Sequence, residues 1–297
     1  MARSVEVKSI LNKTKRRDSW FLDDYTINPY SGCSFNCLYC YIRGSKYGVN
    51  MTDKLSLKNN AVDLLDRQLS LRARKKQYGI IVLSSATDPY LHIERTQLLT
   101  RQILEVILRY RFPLHVITKS ELVRRDFDLI QAIDKAAILP HDLQGQLSHG
   151  AFVTFSFSTI TDGIARVFEP GATPPSTRLE TLALASQYGL HSGVSMMPLL
   201  PFITDTSTHL DQMFGTFKAA GASYIFPATL TLFGAAPYDS KSLTLDAVAK
   251  HYPHLLEKYQ RFFANGTQMP LYYRKAFAKK MAELHLKYEL PNTLMCV

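Results

Sequence analysis

Asn28-Pro29-Tyr30-Ser31-Gly32-Cys33-Ser34-Phe35-Asn36-Cys37-Leu38-Tyr39-Cys40-Tyr41 holds three of the chain's four cysteines, and its reading decides the rest. A disulfide would leave one thiol of the trio unpaired, and it suits a reducing compartment poorly. Structural zinc takes four protein ligands, and catalytic zinc takes three with histidine or carboxylate among them. No histidine lies in this stretch; the nearest downstream is His92. An iron–sulfur cube takes one thiolate per iron, so three cysteines leave one iron open to a substrate or cofactor. The spacing suits a compact loop around one metal centre, with Gly32 easing the approach of the chain. On this stretch alone, iron–sulfur and zinc both stay open.

The surrounding composition is that of a folded chain. Its 297 residues are 46% hydrophobic and 20% charged, enough for one large domain or two small ones. No apolar run approaches the roughly 20 residues that a membrane span needs. Lys8, Lys13, Lys15, Arg16 and Arg17 stand near the start with no apolar block behind them, so no secretory leader of the usual build is expected. Thirty-five Lys and Arg against 25 Asp and Glu give a net charge of +10, which favours a polyanionic or nucleotide-like partner.

Cys-x3-Cys-x2-Cys with an aromatic before the last cysteine resembles the radical S-adenosylmethionine (radical SAM) superfamily. Asn-Pro-Tyr-x-Gly-Cys and Cys-Leu-Tyr-Cys-Tyr are followed by Thr87-Asp88-Pro89-Tyr90 with Glu94, then Thr118-Lys119-Ser120 and Arg125-Asp126. Glu169-Pro170 and Arg178-Leu179 complete the series. Together they resemble the group related to spore photoproduct lyase, from about residue 25 to 230. The cysteine motif is highly specific; each later motif is weak alone. The resemblance implies a [4Fe-4S] cluster on Cys33, Cys37 and Cys40, whose open iron chelates the methionine part of S-adenosyl-L-methionine. It implies reductive release of a 5′-deoxyadenosyl radical that takes hydrogen from substrate, and an electron donor such as a flavodoxin or ferredoxin. Such a cluster must stay reduced, so a cytoplasmic location is expected.

Helical and strand-like stretches alternate through the same region. Ala61–Tyr78, Thr96–Tyr110, Asp126–Ala137, Thr177–Tyr188 and Leu210–Ala220 read as helices from their apolar spacing. Asp24–Asn28, Gly79–Ser84, Leu114–Thr118, Ala151–Ser158, Gly193–Leu199 and Ser223–Leu230 read as strands. The expected class is α/β. The resemblance makes it a partial (βα)6 barrel of the radical SAM type, spanning 24–240. A basic segment (1–23) precedes it and a helical extension (241–297) follows.

Polar residues cluster where strands end, the working face of such barrels. The resemblance sets Thr87 and Asp88 against the amino group of S-adenosylmethionine, although Asp88 before Pro89 also suits a turn and helix cap. Lys119 would pair with the methionine carboxylate. In Thr154-Phe155-Ser156-Phe157-Ser158 the hydroxyls share one face, and with the phenylalanines turned outward Thr154, Ser156 and Ser158 would line a lumen that hydrogen-bonds a ribose. Tyr39 is expected against the adenine, with Arg178 and Glu169 serving the pocket. Met196 and Met197 read as barrel packing.

Spore photoproduct lyase uses a further cysteine near the end of its second strand. Here that stretch is Ser84-Ser85-Ala86-Thr87, and the remaining thiol, Cys296, is the penultimate residue, so a different reaction is expected. Basic clusters stand at Lys13–Arg17, Arg72–Lys76, Arg109–Arg111 and Arg274–Lys280, the last interleaved with Tyr272, Tyr273 and Phe277 in a mixture suited to phosphate contact and base stacking. Nucleic acid is accordingly an expected substrate or partner. The competing classes are a non-enzymatic, metal-stabilised nucleic-acid-binding protein and a radical enzyme acting on a peptide or small metabolite.

Overall fold

A computed structural model describes residues 3–44 and 55–295. The cysteine loop is framed by β1 (Arg3–Val5), β2 (Asn12–Lys13), β3 (Tyr25–Ile27), β4 (Tyr30–Ser31) and β5 (Ser56–Lys58). Alternating elements follow: α1 (Ala61–Arg74), β6 (Ile81–Leu83), α2 (Glu94–Gln97), α3 (Leu99–Tyr110), β7 (Leu114–Thr118), α4 (Phe127–Ala136) and β8 (Ala151–Ser156). Then come α5 (Asp162–Phe168), α6 (Pro175–Gln187), β9 (Ser192–Leu199), α7 (Ser207–Ala219) and β10 (Ile225–Thr229). Three helices close the chain: α8 (Ser240–His251), α9 (Leu256–Phe262) and α10 (Leu271–Tyr288).

The main sheet runs β2-β3-β6-β7-β8-β9-β10. From β3 to β10 every neighbour is parallel, which gives the expected six parallel strands in sequence order. The N-terminal segment adds β2 antiparallel to β3, an edge strand that its charge pattern conceals. A second sheet, β1-β5-β4, braces the chain just before Cys33.

Side-chain alternation assigns the faces. Val153, Phe155 and Phe157 join the core under the helices, with Phe157 packed on Phe217 of α7 at 4.9 Å. Thr154 points inward but does not line a cavity. It is hydrogen-bonded to His115 Nε2 at 2.6 Å and to the Tyr224 hydroxyl at 2.8 Å, which makes it part of a packed floor. Gly193 leaves room for that floor, since a Cβ there would lie 2.5 Å from the Tyr224 ring.

The helix expected over Thr96–Tyr110 breaks at Leu98, which takes a left-handed φ of 52°. The buried Glu94 carboxylate replaces an N-cap for α3 by accepting from Thr100 N at 3.1 Å. The C-terminal helices pack back on the barrel. Met281 and Leu284 of α10 share a core with Phe214 and Phe217 of α7, and Ile225 N of β10 donates to Pro291 O at 2.9 Å. Cys296 lies outside the described residues.

Candidate active site

The cysteine loop is wound by left-handed residues and clasped from outside. Gly32 has φ 82° and Asn36 has φ 53°. Arg43 ties the turn from below: its N–H reaches Cys40 O at 2.9 Å, its Nε reaches Cys37 O at 3.1 Å, and its guanidinium holds the Asn36 side chain. The segment after α5 closes over the loop. Leu38 N donates to Phe168 O and Gly171 N to Phe35 O, each at 2.9 Å. A Cβ on Gly171 would stand 2.3 Å from Ser34 O, so glycine is required by close approach rather than by conformation. His92 Nε2 bonds Gly171 O at 3.0 Å and its ring meets the edge of Phe35.

Cys33, Cys37 and Cys40 are free thiols and all line one cavity of about 520 Å³ at the carboxyl ends of the strands. Burial pushes the Cys33 thiol up to about 12, with Asp88 adding to the rise. Burial raises Cys37 and Cys40 in the same direction. Facing walls carry Ser84, Thr87, Asp88, Lys119, Ser156, Ser195 and Met197. Ser84 Oγ and Thr87 Oγ1 are buried without a hydrogen-bond partner, and Ser84 is held at a left-handed φ of 68°. Orphaned hydroxyls on a cavity wall fit a polar ligand. Three unpaired thiols on the same cavity fit a metal centre.

Asp88 is fully satisfied by protein. Its oxygens accept from Tyr90 N, Thr118 Oγ1 and Lys119 N, each at 2.8 Å. It therefore makes the expected turn and also pins the end of β7. Burial, with only neutral donors and Lys119 to offset it, pushes its carboxyl up to about 6.

Glu169 is the opposite case. Burial alone would raise it, but Arg178, Lys119, Tyr39 and Ser158 together hold it down at about 2. The Tyr39 hydroxyl and Ser158 Oγ donate to Oε1, the latter at 2.7 Å, and the Arg178 guanidinium donates to Oε2. Lys119 Nζ stands 3.4 Å from Oε1 and donates to Ser156 Oγ at 2.6 Å. The lysine is thereby held at the cavity wall, 5.9 Å from the centre of the Tyr39 ring.

The cavity thus gathers Cys33, Cys37, Tyr39, Cys40, Thr87, Asp88, Lys119 and Ser156. Ser158 and Arg178 are wholly buried one layer behind, where they hold Glu169. Met197 lines the cavity while Met196 packs in the core. The sequence singles out no role for Arg43 or His92, and it gives Ser84 only as part of the polar strand end Ser84–Asp88. A non-glycine residue at a strand end gives no sign that it will be left-handed, whereas Arg43, three residues after the last cysteine, was open to notice.

Residues 27–212 match the Radical SAM superfamily. An uncharacterised protein of Mycobacterium bovis is 29% identical over 272 residues, covering 90% of this chain and 75% of its own length. A radical SAM Nα-GlyT isomerase of Pseudomonas phage M6 is 22% identical over 206 residues, covering 69% of this chain and 39% of its own. Among solved structures, a mutant spore photoproduct lyase with bound AdoMet and dinucleoside spore photoproduct superposes with a TM-score of 0.64 at 15% identity, over 96% of this chain and 78% of that one. At that identity the likeness is one of fold.

Proposed function

This chain belongs to the radical SAM superfamily and is a radical SAM enzyme, and we propose that Cys33, Cys37 and Cys40 hold a [4Fe-4S] cluster with one open iron beside S-adenosylmethionine. The observation that carries this reading is the sharing of one cavity by three free thiols and two orphaned hydroxyls. Among the described residues no three His, Cys, Asp or Glu side chains converge on a site for a single metal ion. The three thiols share that cavity wall, and a cluster takes one thiolate per iron. When bound, the two cofactors supply one-electron cleavage to a 5′-deoxyadenosyl radical that takes hydrogen from substrate.

The chain's own residues supply position. Lys119, fixed between Ser156 and Glu169, presents a cation for the methionine carboxylate. Ser84 and Thr87 offer hydroxyls to the polar edge of the cofactor, and Asp88 keeps the strand ends that carry them in register. The Tyr39 ring offers a flat face, its hydroxyl anchored on Glu169. Tyr41 stands at the mouth, 54% exposed, with its hydroxyl on Ser85 O. A nucleic acid component is the substrate class that the net charge of +10 supports, and the fold is shared with a lyase solved with a dinucleoside spore photoproduct. The stretch Ser84–Thr87 carries no thiol, so the reaction we propose differs from reversal of spore photoproduct.

Anaerobic reconstitution tests the reading. It should give about four irons and four sulfides per chain, lost in Cys37→Ala, with S-adenosylmethionine perturbing the reduced-cluster EPR signal. Tightly bound zinc without sulfide would overturn it.

A further inference from the structure

Three of the four basic clusters, distant in sequence, meet on one rim of the barrel, at the amino ends of the strands, away from the three thiols; the cavity's far lining, Phe21 and Asp23, belongs to the same N-terminal segment. Ser84, Lys119 and Ser156 mark the cavity at the carboxyl ends of β6, β7 and β8. β7 is five residues long, so the other end of the sheet lies about 16 Å away. There, β2 pairs Lys13 with Tyr25 of β3. The Tyr25 hydroxyl donates to Gln77 O at 3.1 Å, and the Arg72 guanidinium lies 5.5 Å from its ring centre, which brings the end of α1 alongside. Tyr78 packs on Phe112 at 5.0 Å and so draws in Arg111, whose Nε donates to Ala136 O at 2.8 Å beside Lys135.

Lys13, Lys15 and Arg16 are exposed on this rim, as are Arg74, Lys75 and Lys76. Among the described residues none of these six, nor Arg111 or Lys135, forms an ion pair. Their neighbours do: Arg17 pairs with Asp24 and Asp142, and Arg109 with Asp66. Cations in a last helical turn offset the helix dipole, which accounts for Arg72 and Arg74. It does not account for Lys13, Lys15 and Arg16, which stand on no helix. Lys76 and Arg111 follow α1 and α3 in the left-handed conformation, at φ 53° and 59°. The same position is Gly189 after α6, Gly221 after α7 and Glu289 after α10. Lys76 and Arg111 thus stand in a conformation that glycine would take without strain.

We infer that the rim is a docking surface for the phosphate backbone of double-stranded nucleic acid, at the end of the barrel away from Cys33, Cys37 and Cys40. Single-strand recognition stacks bases on exposed rings, whereas here Tyr25 is 4% exposed, Phe112 is fully buried and Tyr78, half-buried, is packed on Phe112. Unpaired exposed cations around rings already engaged in packing suit a duplex held by its phosphates.

The experiment is fluorescence anisotropy of the intact protein with a labelled duplex of about 20 base pairs across a salt series. Affinity should fall about a thousandfold between 50 and 200 mM salt, as roughly six phosphate contacts require. Arg74→Glu/Lys75→Glu/Lys76→Glu should weaken binding at least about tenfold and flatten the salt slope. Lys13→Glu/Lys15→Glu/Arg16→Glu, on a non-helical segment, should do the same and serves if the first variant does not fold. Arg274→Glu/Lys275→Glu/Lys279→Glu on α10 should change neither quantity. Release of 5′-deoxyadenosine should be unchanged in all three, which separates this inference from the cavity assignment. No duplex binding at low salt, equal loss from the α10 variant, or equally tight binding of polyglutamate would each overturn it.

Discussion

Two buried carboxylates, Glu94 and Glu169, sit in ion-pair networks that look alike in the sequence and differ in what they face. Glu94 accepts from the Tyr30 hydroxyl, from Thr100 N and from Arg125, and Arg125 also holds Asp126, which Arg101 reaches at 2.9 Å. Every partner there belongs to the frame that joins β4, α3 and the start of α4. Glu169 is held as firmly, by Arg178, Tyr39 and Ser158, but its fourth partner is Lys119, whose ammonium stands on the cavity wall. The first network is closed on itself and the second is open at one end. A closed network fixes backbone; an open one aims a charge at a ligand.

The contrast predicts opposite outcomes for two substitutions of similar size. Arg125→Met leaves Glu94 and Asp126 buried with too little positive charge, and it should cost about 3–5 kcal/mol in urea unfolding. The folded fraction should bind S-adenosylmethionine as the parent does. Lys119→Met removes the longer, 3.4 Å pair and leaves Glu169 its Arg178 partner, so unfolding should shift less than in Arg125→Met, while affinity for S-adenosylmethionine falls about ten- to a hundredfold. Exchange of these two phenotypes would erase the distinction.

A smaller effect separates Asp88 from Glu169. Held at about 2, Glu169 contributes stability that is present above the ordinary carboxylate range and lost as pH falls toward 2. Asp88, raised to about 6, takes up its proton more readily folded than unfolded. The metal-free protein should therefore gain about 1 kcal/mol from this group between pH 7 and pH 5. Asp88→Asn should remove that gain, as measured by urea unfolding at the two pH values.

What the sequence revealed follows the range of the interactions. The cysteine trio, Thr87, Lys119 and Ser156 were legible because a local motif or a strand end places them. The Glu169–Arg178 pair was legible only as two motifs, since its burial depends on the segment after α5 closing over the cysteine loop while α6 packs against β8 and β9. Thr154 was assigned to the right face of β8 and the wrong depth; alternation gives the face, whereas depth depends on Tyr224 filling the space above Gly193. On α10 the aromatic residues were read without their helical phase. Tyr273 and Phe277 precede Met281, Leu284 and Tyr288 on one inward stripe, so Tyr273 packs on Phe202 and Phe262 and only Tyr272 is exposed for stacking. The basic clusters were visible singly, but their meeting at the barrel base needed the register of β2 on β3.

In the proposed reaction the cavity bounded by Cys33, Cys37 and Cys40 on one side and by Thr87, Lys119 and Ser156 on the other is where S-adenosylmethionine gives up its radical. The most direct measurement is 5′-deoxyadenosine, quantified by mass spectrometry after anaerobic incubation of the reconstituted protein with dithionite and S-adenosylmethionine. Slow release without added substrate is the predicted result, with none from Cys37→Ala and a reduced rate from Lys119→Met at limiting S-adenosylmethionine. A fully reconstituted protein that releases no 5′-deoxyadenosine, or Cys37→Ala releasing it at the parent's rate, would contradict the account.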